Sequence, residues 1–154
     1  MAKNNNQKIG KVIKIILIIG TILSIPAMII IPFLLNHVNN VYASMFIIYP
    51  NGILMLGIVY QFIKLFKSLE DNNPFNRSNV KILKNMGIIS FIMSGLWFVD
   101  LLDLLLIIKN YYLNYTLVLI FLTLLFIGIG IALYILSILF KQATLYKEEN
   151  DLTI

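Results

Sequence analysis

The chain has 154 residues, of which 60% are hydrophobic and only 12% are charged, with a formal net charge of +5. A soluble domain carries about a quarter charged residues, and a chain of this length cannot bury so much apolar surface, so the composition excludes a soluble domain and predicts an integral membrane protein. The absence of cysteine also excludes a disulfide framework and a thiolate zinc site.

Four apolar segments are each long enough to cross a bilayer, which takes about 20 helical residues. We place the spans at residues 12–35, 41–66, 86–108 and 114–140. The fourth uncharged stretch is longer than the roughly 30 Å hydrocarbon core requires, so we expect it to tilt or to begin at the interface, where its tyrosines suit an aromatic belt. The sequence therefore predicts an all-α, integral membrane four-helix bundle that forms one domain over residues 1–154.

The distribution of basic residues predicts how the chain crosses the membrane. Eleven of the twelve Lys and Arg residues lie in the N-terminal tail, around the connection between the second and third spans, or in the C-terminal tail, and only Lys109 lies in an outer connection. By the positive-inside rule we expect both termini to be cytoplasmic, together with a loop over residues 67–85 and a tail over residues 141–154. The prediction is a multi-pass protein of the plasma membrane.

The second span contains the sequence "YPNG" at residues 49–52. Proline removes a backbone donor and clashes with the preceding turn, and lipid offers no replacement partner for the freed carbonyl. One interpretation is a kinked helix, or a helix that starts near Gly52 after a longer outer loop. The other is a broken helix that lines a cavity.

The third span contains two carboxylates within "LWFVDLLDLLLI", residues 96–107. Asp100 lies about 21 Å of helix rise beyond Met86, so we place it in the outer half of the bilayer core and Asp103 near the edge. No basic residue lies at the depth of Asp100, so we expect it to hydrogen-bond to Asn51 or to the backbone freed by Pro50.

For Asp103 the candidate partners are His37 and Lys109, near the outer surface. We interpret Asp100, Asp103, Asn51 and Pro50 as a polar clamp within the membrane. A carboxylate in a membrane helix also suggests proton or ligand sensing, and this alternative stays open.

The fourth span carries a small-xxx-small pair, Gly128 and Ala132, which permits close approach of two helix backbones. We favour packing within the bundle over dimerisation, although the same pair could form an oligomer. The single histidine, His37, cannot make a metal site alone, and no catalytic set, phosphate loop or nucleotide motif is present. We therefore expect no enzyme activity, no cofactor and no direct contact with nucleic acid.

Two polar segments flank the third and fourth spans. In "EDNNPFNRSN" the turn residues end the second helix, and Asn76 or Ser78 is the expected N-cap of the third. The nearby lysines are explained by orientation and by contact with anionic lipid. In the tail "KQATLYKEENDLTI" the acids oppose the helix dipole, so the helix frays, or the acids meet loop cations, or the tail is simply solvated.

These segments carry a resemblance to a known family. Pro74-Phe75 followed by Asn79, the terminus "EENDLTI" and the four-helix layout resemble small bacterial membrane proteins of domain-of-unknown-function family 2975. Asn73 and Asn76 depart from the glycine and threonine usual in that family. The resemblance implies no established chemistry. Its members are often encoded beside a small helix-turn-helix regulator, which implies a membrane partner of a transcription factor.

Two functions follow as hypotheses. The first is a non-enzymatic regulatory or sequestering partner of a cytoplasmic helix-turn-helix transcription regulator. The alternative is a small transporter, or an immunity protein against a membrane-active peptide, that uses Asp100. For the first, the predicted partner surface comprises Pro74, Phe75, Arg77, Asn79, Glu148, Glu149, Asn150, Asp151 and Leu152.

Overall fold

The protein is made of four long helices, as seen in a computed structural model that describes residues 2–39, 42–108 and 113–152. Helix α1 spans Ala2–Asn39, α2 spans Tyr42–Glu70, α3 spans Arg77–Asp103 and α4 spans Leu113–Leu152. A π-helical turn, Leu104–Ile108, continues α3. Each of the four helices contains a segment long and apolar enough to cross a membrane. The predicted all-α fold with four membrane helices is confirmed.

The helices extend beyond the predicted spans at one end. Most of the predicted loop over residues 67–85 is helical, because α2 continues to Glu70 and α3 begins at Arg77. Helix α4 has 40 residues, which is about 60 Å at 1.5 Å per residue and twice the roughly 30 Å hydrocarbon core. A large part of α4 therefore lies outside the bilayer core, and the charged segment from Lys141 onward is the part suited to water.

Helix α2 runs without interruption through Pro50. The broken-helix interpretation is therefore wrong, and so is a helix start near Gly52. Proline is tolerated inside membrane helices because neighbouring helices, hydroxyl side chains or small local adjustments satisfy the backbone groups that it frees. The neighbouring Gly52 has a packing role instead, since a side chain there would collide with the sulfur of Met28 in α1.

The helices pack in the order of the chain. Helix α3 packs most extensively on α4, α2 packs on α3, and α1 packs chiefly on α2. A core of buried side chains joins α2, α3 and α4, and it includes Ile58, Leu83, Met86, Met93 and Leu133. Many apolar side chains on the outward faces of the helices are exposed. This pattern suits helices that pack with one face and meet lipid with the other.

Two helix backbones approach each other closely at Gly87 of α3 and Gly130 of α4. A Cβ atom added to Gly87 would lie 3.1 Å from the carbonyl oxygen of Gly130. By contrast, a Cβ at Gly128 would have nothing within 4 Å, and Ala132 is exposed. The preference for internal packing at Gly128 and Ala132 is therefore wrong. That pair faces outward, and an oligomer through it stays a prediction.

We expect Gly87→Val to destabilise the protein by about 1–3 kcal/mol, because the added methyl groups must push α3 away from the backbone of α4. The matched control is Gly95→Val in the same helix, where an added Cβ has nothing within 4 Å. Thermal unfolding in detergent measures both variants. Equal midpoints for the two variants would contradict the proposed role of Gly87.

Candidate functional site

The connection between α2 and α3 lies at an end of the protein where segments of α1 and α4 meet it. In α1, Lys14 Nζ lies 2.9 Å from Oε2 of Glu70, the last residue of α2. In α4, Lys147 Nζ donates a 2.8 Å hydrogen bond to Asn73 Oδ1 in the connection. We call this the loop end, formed by residues 8–14, 64–84 and 141–152. It gathers basic residues of all four helices in one place.

The connection itself is held by a hydrogen-bond network centred on Ser68. Its hydroxyl donates to the Asn73 carbonyl at 2.6 Å, and it accepts from Asn76 Nδ2 and Asn79 Nδ2 at 2.8 Å each. Asn76 has extended backbone angles (φ −145°, ψ 158°), and its side chain accepts from the Asn79 backbone N–H. This confirms Asn76 as the N-cap of α3. Asn72 adopts φ 53°, a left-handed turn that asparagine tolerates better than most residues.

Part of the predicted partner surface is occupied by contacts within the protein itself. Asn79 is only 2% exposed, and its amide also donates to the Pro74 carbonyl at 2.7 Å. The side chain of Asn79 is therefore unavailable to a partner, which corrects the prediction. The ring of Phe75 packs on Phe140 of α4, with 5.3 Å between ring centroids. Sequence order alone cannot reveal these contacts, because they depend on which helices meet.

The end of α4 is attached to the start of α3 by a two-pronged ion pair. Arg77 donates from Nε to Glu148 Oε1 at 2.9 Å and from Nη2 to Glu148 Oε2 at 2.8 Å. The parallel geometry is the strong form of an arginine–carboxylate contact. Since α4 stays helical to Leu152, the tail does not fray, and Glu148 meets a loop cation. Both side chains are exposed, so the pair orients the helix end more than it stabilises the fold.

Beyond Lys141, where charged residues reappear in α4, one face of the helix presents exposed apolar side chains. Leu145, Tyr146 and Leu152 are 43%, 67% and 86% exposed, and Glu149 is exposed beside them. At about 100° per residue these four side chains fall within roughly 120° of the helix circumference. We call them the tail surface. Exposed apolar groups outside the bilayer mark a docking site more strongly than those that face lipid.

In the predicted polar clamp, Asp100 has a different hydrogen-bond partner from the one predicted. Asp100 is 7% exposed, and its Oδ2 accepts a 2.9 Å hydrogen bond from the Tyr115 hydroxyl of α4. Asn51, proposed as the partner, is buried in α2. Sequence reasoning assigned Tyr115 to the aromatic belt and missed this role. A second polar contact between the same helices joins Ser94 Oγ to the Thr123 carbonyl at 3.1 Å.

The π-helical turn that follows α3 is hydrogen-bonded to the backbone around Asp100. The N–H of Leu104 reaches the carbonyls of both Asp100 and Leu101. Asp103 is half-buried, and its predicted partners, the side chain of His37 and residue Lys109, lie outside what the structure describes. No group of His, Asp and Glu in the described ranges could hold a metal ion. The site therefore offers a buried carboxyl and a phenol, which can clamp two helices or exchange a proton.

The hydrogen bond from Arg77 lowers the pKa of Glu148, and their opposite charges add to this effect. A depressed carboxyl pKa means that the ion pair is fully present above the ordinary glutamate pKa of about 4.3 and is lost as pH falls through the lower folded value. We expect the carboxyl ¹³C shift of Glu148 to titrate at higher pH in Arg77→Gln than in the wild type. Lys84→Gln, which removes an equal charge from α3, should leave the Glu148 titration almost unchanged. Identical titrations in wild type and Arg77→Gln would show that the pair does not form in solution.

Comparison with known proteins identifies the family. The model of the family described as "Protein of unknown function (DUF2975)" matches residues 37–154. The matched region includes α2, α3, α4 and both polar segments at the loop end. No curated protein and no solved structure gives a significant match. Since the family model covers well over half of the chain, this four-helix membrane protein belongs to the DUF2975 family.

Proposed function

We propose that this protein is a non-enzymatic regulator of the plasma membrane whose loop end faces the cytoplasm and holds a helix-turn-helix transcription regulator there. The tail surface is the observation that carries the proposal. It exposes Leu145, Tyr146 and Leu152 beyond the charged residue Lys141, on a helix end that Arg77 and Glu148 hold in place. The family resemblance implies a partner of this kind.

The chemistry of the tail surface suits a basic amphipathic helix. Leu145 and Leu152 are two helical turns apart and offer apolar anchors, while Glu149 between them offers negative charge. Helices that read DNA carry arginine and lysine for the phosphate backbone. A regulator bound through such a helix would be withdrawn from DNA, because the same basic side chains cannot contact both partners.

The tail of α4 is positioned before any partner binds. Its last turns are anchored to the α2–α3 connection by the Lys147–Asn73 contact and by the Arg77–Glu148 pair. A surface that is already ordered loses less conformational entropy on binding than a disordered tail does. This favours a specific docking site over a solvated tail.

The proposal is tested by co-purification, from native membranes, of a helix-turn-helix regulator encoded beside the gene of this protein. We expect Tyr146→Ser combined with Leu152→Ser to reduce co-purification at least about tenfold, since central apolar anchors carry most of the affinity of an interface. The double variant keeps Glu148 and therefore the helix anchor. The control, Ile9→Ser, removes a 53% exposed apolar side chain from α1 and should have no effect. If the regulator is not recovered even with the wild type, the proposed function is wrong.

A second candidate function is favoured by the Asp100–Tyr115 contact. A buried carboxyl that shares a hydrogen bond with a phenol is a group through which a small transporter could move a proton, or with which an immunity protein could sense a membrane-active peptide. The same contact also serves as a structural clamp, which is our preferred interpretation.

Two substitutions separate the clamp from a proton-handling role. Asp100→Asn keeps an oxygen that accepts from Tyr115 but cannot release a proton, whereas Tyr115→Phe removes the hydrogen bond. If the contact is a clamp, Asp100→Asn should leave thermal stability nearly unchanged, and Tyr115→Phe should cost about 1 kcal/mol. Proton-coupled flux and peptide resistance, measured on the same variants, should equal those of the wild type. Loss of either activity in Asp100→Asn, with stability retained, would favour the second function.

A further inference from the structure

A hollow lies between the end of α2 and the start of α3, and none of its lining residues belongs to the tail surface. Lys64 and Lys67 of α2, Asp71 of the connection, and Ser78 and Ile82 of α3 are among the residues that line it. Ser68 and Asn79, which also line it, are engaged with each other and with the loop. The available charge in the hollow therefore comes from the two lysines.

The charge of the hollow is positive and is not neutralised by an ion pair. The two salt bridges among the described residues use Lys14 and Arg77, not Lys64 or Lys67. Lys64 Nζ instead lies 4.5 Å from the ring centroid of Tyr60. Asp71 supplies one negative charge against two positive ones. Such a hollow attracts an anion.

The position of the hollow near the end of the second predicted span indicates which kind of anion it would bind. Lys64 and Lys67 lie near the end of the second apolar span, and Tyr60, one turn earlier, is 58% exposed, as an aromatic residue at the membrane interface would be. Ile82 adds an apolar side chain to the lining of the hollow. A ligand with a negative headgroup and an acyl chain matches both features.

We propose that the hollow between α2 and α3 is a binding site for one anionic phospholipid, with Lys64 and Lys67 holding its headgroup phosphate and Ile82 contacting the start of an acyl chain. Basic pockets between membrane helices are known to bind anionic headgroups. This goes beyond the general preference of basic loops for anionic membranes, because it assigns one lipid to two named lysines. The site contains no residue of the tail surface, so failure of the lipid test would not contradict the proposed function.

The test measures lipid retention by native mass spectrometry after reconstitution of the full chain with equal amounts of phosphatidylglycerol and phosphatidylcholine. The wild type should retain one phosphatidylglycerol in preference to phosphatidylcholine. Lys64→Gln combined with Lys67→Gln should weaken that binding about 30-fold, since each lysine at the surface contributes a roughly fivefold preference. Helical circular dichroism checks that the variant is folded.

The control variant combines Lys81→Gln with Lys84→Gln. It removes the same charge from exposed positions of α3 at the loop end, and neither residue lines the hollow. It should change phosphatidylglycerol binding less than about threefold if the site is local rather than a diffuse surface potential. Equal losses in the two double variants, or no loss in either, overturn the site. Displacement of the lipid by millimolar inorganic phosphate at constant ionic strength overturns the assignment to a lipid.

Discussion

The close approach of α3 and α4 at Gly87 and Gly130 is the contact on which the other features depend. It brings two antiparallel helices together, with an added Cβ at Gly87 only 3.1 Å from the opposing carbonyl oxygen. Toward one end the pair is joined by Asp100 and Tyr115, and at the other by the Arg77–Glu148 ion pair. Small residues permit this because helices in lipid associate through packing rather than through exclusion of water.

Helix α4 connects the Asp100–Tyr115 contact with the tail surface. It is continuous from Leu113 to Leu152, so the segment that packs in the membrane and the segment that carries the tail surface form one rigid element. Its length exceeds the hydrocarbon core, and the charged residues from Lys141 onward suit the part outside it. In the proposed function, binding at the tail surface and packing within the membrane would therefore act on the same helix.

The outer helix α1 differs from the other three. It packs chiefly on α2, and the family match begins at residue 37, near the end of α1. The unit formed by α2, α3 and α4 contains the loop network, the Arg77–Glu148 ion pair and the buried Asp100. The hollow between α2 and α3 lies within that same unit.

Composition and local pattern alone determined the membrane class and the four helices, and they narrowed the N-cap of α3 to Asn76 or Ser78, because apolar length and capping depend on neighbouring residues. Tertiary structure decided which groups meet: Tyr115 rather than Asn51 at Asp100, Gly130 rather than Gly128 against α3, and Asn79 inside the loop. These choices depend on the rotation and depth of each helix against another. In a chain whose helices are apolar on every face, the hydrophobic pattern carries little information about that rotation.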